Sequence, residues 1–252
     1  VNTFTLGAQG EPELAVADDG DFTIVWESDG SPGTDTSSKS VQGRRYAADG
    51  TPIELEEFQL NTYTTDTQRD AGVAIDVDGD FVVVWESYGS PGGDADRYSA
   101  QGRRYAADGA PLDAVEFQIN DYVTLDQDDS VAAFTPDGNI IVVFESDGSA
   151  GTDIDGNSVQ LRRYAGDGTP LEPAELQVNT YTTGHQGEPD FAVAPDGSFV
   201  IVWESEGSAG GDTSYASIQA RRYAADGTPI DVAEFQVNTF TTDTQQLPAV
   251  AV

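Results

Sequence analysis

Residues 195–203 read Pro-Asp-Gly-Ser-Phe-Val-Ile-Val-Trp, and this stretch decides the fold. The Asp-Gly pair supplies the positive φ angles that a tight hairpin turn requires. The five residues after the turn form an almost continuous β-branched and aromatic run, which is typical of a strand buried on both faces. The stretch therefore predicts a β-hairpin whose second strand lies in the core of a sheet.

Strand and turn signals continue on both sides of this hairpin. An apolar stretch at 191–194 precedes it, and a loop rich in Gly, Ser and Asp follows at 205–214. Residues 217–223 then alternate like a strand with one exposed face. Asp-Gly-Thr-Pro at 226–229 predicts another turn, and 230–237 is expected to be a fourth strand. One unit is therefore predicted to hold four strands.

The same unit recurs every 59 residues without an insertion. The repeats are 2–60, 61–119, 120–178 and 179–237, with the start of a fifth at 238–252, and they are expected to form one repeat domain over 1–252. The recurring residues include one asparagine and one aromatic residue: Asn2, Asn61, Asn120, Asn179 and Asn238; Trp26, Trp85, Phe144 and Trp203. We expect 238–252 to belong to a longer array or a larger ring, to complete a blade of a neighbouring subunit, or to be an overhang without a structural role.

The predicted fold class is all-β, with tandem four-stranded antiparallel repeats that form β-propeller blades. An open β-repeat array or filament is the alternative. A helical solenoid is excluded because no segment has helical periodicity, while 27 Gly and 12 Pro interrupt every unit.

Charge and composition exclude several classes of partner. The 45 acidic and 11 basic residues give a formal net charge of -34, so nucleic acid and anionic membrane surfaces are unfavourable partners. No apolar run approaches the ~20 residues needed for membrane insertion as a helix. The chain has no Cys, which excludes disulfides and thiolate chemistry.

Loops rich in Gly and Asp follow each core strand and suggest a bound cation. Their hydroxyl, carbonyl and carboxylate oxygens are the ligands that Ca²⁺ prefers, and a cation would also reduce the repulsion among the acidic residues. The alternative is a solvated loop without a metal. The predicted calcium ligands are Asp29, Asp35, Asp94, Asp147, Asp153, Asp155 and Asp212.

An arginine pair recurs in each repeat and accounts for eight of the ten arginines. Since successive residues of a strand point to opposite faces, one member is expected to pair with the glutamate beside the core aromatic residue. An anion or sugar site is the alternative. The predicted ion pairs join Glu27, Glu86, Glu145 and Glu204 to the pairs Arg44 and Arg45, Arg103 and Arg104, Arg162 and Arg163, and Arg221 and Arg222.

Catalysis would need residues that break the repeat, and these form no recognised catalytic set. A carboxylate pair for glycosidase chemistry is available, but nothing in the sequence singles one out among the acidic residues. The chain is therefore predicted not to be an enzyme. The residues that break the repeat include Lys39, Arg69, Tyr88, Arg97, Tyr98, Phe134, His185 and Tyr215.

The repeat motif also resembles a known type. Phe-x-Val-Val-Trp-Glu-Ser-x-Gly-Ser-x-Gly-x-Asp, followed by Gln-x-Arg-Arg-Tyr-x-x-Asp-Gly-x-Pro and Glu-Phe-Gln-Val-Asn-Thr, resembles a tandem β repeat of very large secreted bacterial surface and adhesin-like proteins. The resemblance implies an extracellular or cell-surface location, and it brings no catalytic residues with it.

Three functions follow from these observations. The first is a non-catalytic structural or adhesive module, stabilised by calcium, which assembles into a filament or surface layer through self-association or neighbouring repeats. The alternative is a multivalent, lectin-like propeller with a glycan as its partner. The third is a propeller glycosidase.

Overall fold

The computed structural model describes residues 1–208, 210–212 and 214–252, and within them the chain forms four antiparallel sheets of four strands each. The first sheet contains β1 (Gln9–Val16), β2 (Phe22–Asp29), β3 (Lys39–Tyr46) and β4 (Phe58–Gln59). The second contains β5 (Gln68–Ile75), β6 (Phe81–Tyr88), β7 (Tyr98–Tyr105) and β8 (Phe117–Gln118). The third contains β9 (Gln127–Phe134), β10 (Ile140–Asp147), β11 (Asn157–Tyr164) and β12 (Leu176–Gln177). The fourth contains β13 (Gln186–Val193), β14 (Phe199–Glu206), β15 (Ala216–Tyr223) and β16 (Phe235–Gln236).

In every sheet the strands are paired in the order in which they follow along the chain, which is the arrangement of a propeller blade. The predicted all-β class with four antiparallel strands per unit is therefore confirmed. In the stretch that decided the fold the hairpin turn is confirmed: Gly197 has a φ of 83°, although Asp196 does not share the positive φ, and β14 begins at Phe199.

The outer strands differ in length from the sequence prediction. The first strand of the last sheet begins at Gln186 rather than at 191, and the fourth strand contains only Phe235 and Gln236 of the predicted 230–237. The fourth strand is short because Arg221 binds backbone carbonyl groups of this segment. Its Nε donates to the carbonyl oxygen of Asp231 (3.2 Å) and its Nη2 to that of Val232 (3.3 Å).

The first strand of each sheet carries a bulge near its beginning. The register shifts there, and one non-glycine residue adopts a positive φ: Glu11 (45°), Asp70 (49°), Asp129 (48°) and Glu188 (49°). A bulge adds an unpaired residue, bends the strand and changes the direction of the neighbouring side chains. All four bulge residues are acidic, so each blade places a carboxylate at this edge.

The chain divides into two compact units, Val1–Val123 and Thr124–Val252, which we call the first and the second unit. Each holds two sheets and an apolar core between them. The core of the first unit includes Val25, Val41, Leu60, Phe81, Val83, Trp85 and Tyr105. The core of the second includes Val143, Val159, Val178, Phe191, Phe199, Ile201, Trp203 and Tyr223.

A buried asparagine joins consecutive sheets. Asn61 accepts a hydrogen bond from the backbone N–H of Val41 (3.0 Å) and donates to Asp35 Oδ2 (2.7 Å) and to Gln68 Oε1 (3.2 Å). Asp35, Asn61 and Gln68 are all buried. In the second unit Asn179 makes the same contacts with Val159, Asp153 and Gln186. We call this arrangement the asparagine hub. A buried carboxylate needs hydrogen-bond donors, and the asparagine amide provides one. The hub thereby holds the loop, the linker and the next blade together.

No helix among the described residues is long and apolar enough to span a bilayer.

Substitution of the hub should destabilise the fold. Asn179→Ala removes the amide donor to the buried carboxylate of Asp153, and we expect a loss of about 1–3 kcal/mol in the free energy of unfolding, measured by urea denaturation. Asn2→Ala is the matched control, because Asn2 occupies the same repeat position but is exposed. Equal losses for the two variants would contradict the role of the hub.

Candidate active site

The repeats differ in chemistry at one edge of each blade. This edge contains the beginning of the first strand, the end of the second and the beginning of the third. On the first strand, the residue paired with the repeated glutamate is, from the first blade to the fourth, Gly10, Arg69, Asp128 and Gly187. The third strand begins, in the same order, at Lys39, Tyr98, Asn157 and Ala216. The turn after the third strand, by contrast, reads Ala-Ala-Asp-Gly in three repeats and Ala-Gly-Asp-Gly in the other.

In the first unit the repeated glutamate has a basic partner in both blades. Lys39 Nζ lies 2.6 Å from Glu27 Oε1, and Arg69 Nε lies 2.8 Å from Glu86 Oε2. These two glutamates are therefore neutralised by residues from the same blade edge.

In the second unit Glu145 lies in a different environment. It is buried, and it is paired across the sheet with Asp128. Carboxylate oxygens of Glu145, Asp128 and Asp129 all lie within 4.8 Å of one another. The basic residues of the second unit are its two arginine pairs, and among the described residues neither pair forms an ion pair with Glu145.

Two hydrogen-bond donors fix the carboxyl group of Glu145. The backbone N–H of Glu188 donates to its Oε2 (3.0 Å), and Asn157 Nδ2 donates to its Oε1. Asn157 Oδ1 in turn lies 3.2 Å from His185 Nδ1. Gly187 makes room for this arrangement, since a Cβ at that position would overlap Glu145 Oε2. The third and fourth blades therefore hold Glu145 between them.

Burial raises the pKa of Glu145 to about 8, and the negative charges of Asp128 and Asp129 add to the effect, while the N–H of Glu188 opposes it. Burial, followed by the charges of Asp129 and Glu204, also raises the pKa of Glu188. Glu145 is therefore mostly protonated at neutral pH, beside the carboxyl groups of Asp128 and Asp129. A carboxyl group that keeps its proton at neutral pH can act as a general acid.

Glu145 and Glu188 line part of an open cleft of about 330 Å³ in the second unit. We call it the acidic cleft, and its lining includes Glu145, Asn157, His185, Glu188, Glu204 and Tyr215. Tyr215 is 74% exposed, which leaves its ring available to a ligand. A cleft of this size, with carboxyl groups on its walls and an exposed aromatic ring, is suited to a sugar.

The aspartates predicted to bind calcium lie in two different environments. Asp35, Asp94, Asp153 and Asp212 are buried acceptors of the asparagine hubs. Asp29 and Asp147 end the second strands of their sheets, and Asp155 is an exposed loop residue. Among the described residues, the carboxylates close enough together to share a metal ion are Asp128, Asp129 and Glu145 instead. Calcium binding by the loops stays a prediction.

The arginine pairs form ion pairs with a different set of acids from the one that the sequence predicted. The second arginine of each pair binds the carboxylate nine residues further along the chain: Arg45 with Glu54, Arg104 with Asp113, Arg163 with Glu172 and Arg222 with Asp231. The first arginines Arg44, Arg103 and Arg221 bind backbone carbonyl groups, and Arg44 donates to those of Val1 (2.7 Å) and Leu55 (2.9 Å). Glu27, Glu86, Glu145 and Glu204 were the wrong partners because they lie at the opposite end of the strands from the arginine side chains.

Asp128 and Asp129 are site residues that sequence reasoning missed. Their signal is present in the repeats: the position of Asp128 holds Gly, Arg and Gly in the other three units. The change of charge marks this position, but only the fold brings it next to Glu145.

No family model and no curated protein sequence matches the chain. Solved structures do resemble it. They include the α-L-arabinanase of Penicillium chrysogenum in complex with arabinobiose (TM-score 0.64, 13% identity, 95% of this chain and 70% of the arabinanase). The Hadza microbial sialidase Hz136 has a TM-score of 0.60 at 13% identity over 93% of this chain, which spans about half (47%) of the sialidase. An α-L-arabinofuranosidase from Lactobacillus brevis has a TM-score of 0.53 at 15% identity, with 92% of this chain and 78% of that enzyme covered.

These likenesses establish the fold. The arabinanase is a five-bladed propeller, which confirms that the four sheets are propeller blades. The comparison also corrects the predicted function. We expected a non-catalytic structural or adhesive module and no enzyme, and this expectation is contradicted by the solved structures with this fold, which include an arabinanase, an arabinofuranosidase and a sialidase. The regular repeat length had suggested a structural role. This regularity belongs to the strands and turns of the blades, whereas the residues at the blade edges differ between repeats.

The raised pKa of Glu145 should appear in the pH dependence of stability. The native state retains a proton that the unfolded chain, with a glutamate pKa of 4.5, releases, so this contribution to stability falls as the pH rises from 4.5 to about 8. Glu145→Gln should therefore flatten the decrease of the melting temperature over this range. Glu13→Gln, at an exposed position, controls for the loss of one charge. Parallel curves for the wild type and Glu145→Gln would contradict the assignment.

Proposed function

We propose that the chain is a glycoside hydrolase of the propeller type and that the acidic cleft of the second unit is its active site. The observation that carries this proposal is Glu145, a buried and mostly protonated carboxyl group beside two other carboxylates. The propeller fold, which is that of the arabinanase and the sialidase, supports it as an analogy of scaffold.

In the proposed mechanism Glu145 is the general acid. It donates its proton to the glycosidic oxygen as the bond to the leaving sugar breaks, which prevents the departure of an unstable alkoxide. Burial keeps this proton on Glu145 at neutral pH, and the N–H of Glu188 and the side chain of Asn157 hold the carboxyl group in position.

Asp129 is the proposed nucleophile. It is exposed on the bulge of β9, and its carboxylate oxygen lies within 4.8 Å of Glu145. Carboxylate oxygens this close together fit a retaining reaction, since inversion requires about 6.5–9.5 Å to accommodate a water molecule. Asp129 attacks the anomeric carbon and forms a glycosyl ester. Glu145, now ionised, takes a proton from the water that hydrolyses this ester.

Tyr215 and Glu204 would bind the sugar beside these groups. The exposed ring of Tyr215 offers an apolar face for stacking, and Glu204 lines the cleft on the fourth blade. Arabinan is the first substrate to test, because the arabinanase was solved with arabinobiose.

We expect purified protein to release reducing sugar from arabinan or from another polysaccharide in a panel that includes sialylated oligosaccharides. Glu145→Gln should lower kcat by about 10²- to 10⁴-fold. Wild-type activity should fall as the pH rises through about 8, where Glu145 loses its proton. Glu27→Gln is the matched control, since Glu27 holds the same repeat position but is paired with Lys39. Full activity in Glu145→Gln would overturn the proposal.

An extracellular location and calcium in the Gly- and Asp-rich loops remain proposals that derive from the repeat motif and the loop composition. They are compatible with a polysaccharide as substrate, because such polymers are encountered outside the cell.

A further inference from the structure

The second blade carries a cluster of residues that the other three blades lack. The position of Tyr88 holds Asp29, Asp147 and Glu206 in the other repeats. The position of Tyr98 holds Lys39, Asn157 and Ala216. The two arginines outside the recurring pairs, Arg69 and Arg97, belong to the same repeat. We call Tyr88, Tyr98 and Arg69 the tyrosine platform.

The platform is built by cross-strand contacts at the edge of the blade. Tyr88 ends β6 and is paired with Tyr98, which begins β7. Their rings meet edge to face, with centroids 5.2 Å apart and an interplanar angle of 81°. The guanidinium carbon of Arg69 lies 4.0 Å from the ring centroid of Tyr98. Tyr98 is therefore fixed on two sides, while Tyr88 remains 43% exposed.

Arg69 offers hydrogen-bond donors beside this exposed ring. Its Nε donates to Glu86 Oε2 (2.8 Å) and lies 3.1 Å from Asp70 Oδ2. Within the described part of the chain, Arg69 forms this hydrogen bond through Nε. The two terminal amino groups of its guanidinium group therefore keep their N–H donors for a ligand. Its positive charge is already balanced by two carboxylates.

From this arrangement we propose that the tyrosine platform is a binding site for a neutral sugar unit of a glycan, separate from the acidic cleft. The exposed ring of Tyr88 stacks on the apolar face of a sugar ring, and the amino groups of Arg69 donate to its hydroxyl or ring oxygens. A neutral sugar is favoured over an anionic one because Glu86 and Asp70 neutralise Arg69 and because the chain has a net charge of -34.

This inference does not depend on the proposed hydrolytic function. The platform lies in the first unit and the acidic cleft in the second. An aromatic platform binds polysaccharide without acting on it, so binding should persist when the general acid is removed.

The test is isothermal titration calorimetry of the full chain carrying Glu145→Gln, so that no ligand is hydrolysed. Neutral oligosaccharides from arabinan, galactan, xylan and cellulose are compared with oligogalacturonate as the anionic probe. We expect at least one neutral ligand to bind. Tyr88→Ala should weaken that binding about tenfold, which corresponds to ~1.4 kcal/mol, whereas Tyr88→Phe should retain it.

Two further variants make the result specific. Arg69→Lys keeps a positive charge beside Glu86 but lacks the planar set of donors, and it should also weaken binding. Phe235→Ala removes an aromatic ring that is equally exposed (43%) on the fourth blade and should leave the affinity unchanged. Unchanged affinity in a folded Tyr88→Ala protein, preference for oligogalacturonate, or no binding by any neutral ligand would overturn the proposal. Arabinan hydrolysis by the protein with an intact Glu145 is measured separately, so failure of one proposal is distinguishable from failure of the other.

Discussion

Buried asparagine amides carry the contacts that join consecutive blades within each unit. In the first unit Asn61 binds the backbone of its own blade, the carboxylate of Asp35 in the preceding loop, and Gln68 at the beginning of the next blade. An amide has both a donor and an acceptor, so it can satisfy a strand N–H and a buried carboxylate at the same time. This explains why the asparagine, the aspartate and the glutamine recur together at a spacing that never changes.

Basic residues are scarce, and their positions determine which of the repeated glutamates have a cationic partner. The chain has 11 Lys and Arg residues for 45 acids, and eight of the arginines belong to pairs that bind backbone carbonyl groups or a nearby carboxylate. Lys39 and Arg69 neutralise the repeated glutamate in the first unit. The second unit has no Lys or Arg outside its two arginine pairs. Glu145 is therefore buried without a cationic partner, and burial, followed by the negative charges of Asp128 and Asp129, raises its pKa.

The fold was largely predictable from the sequence, because Asp-Gly turns and the core strand at 199–203 are local signals that recur in each repeat. The fourth strands were less predictable, since Arg221 binds carbonyl groups that would otherwise be free to pair. The candidate site was the least predictable part. Asp128 and Glu145 are 17 positions apart in the sequence and meet only through the register of β9 and β10. Glu188 reaches the site from the next blade. The arginine partners were missed for the same reason, since the direction of a long side chain depends on the register of the strands.

Glu145 keeps its proton because it is buried beside the carboxylates of Asp128 and Asp129, and its blade edge has no cation such as Lys39, which pairs with Glu27 in the first blade. The most direct measurement is a pH titration of the ¹³C carboxyl signal of Glu145, assigned by its loss in Glu145→Gln, in the wild type and in Asn157→Lys. Asn157 occupies the repeat position of Lys39. We predict a midpoint at about 8 in the wild type and a clearly lower midpoint in a folded Asn157→Lys protein, with loss of hydrolytic activity near neutral pH. A wild-type midpoint near the ordinary value of 4.5, or an unchanged midpoint in Asn157→Lys, would contradict the account.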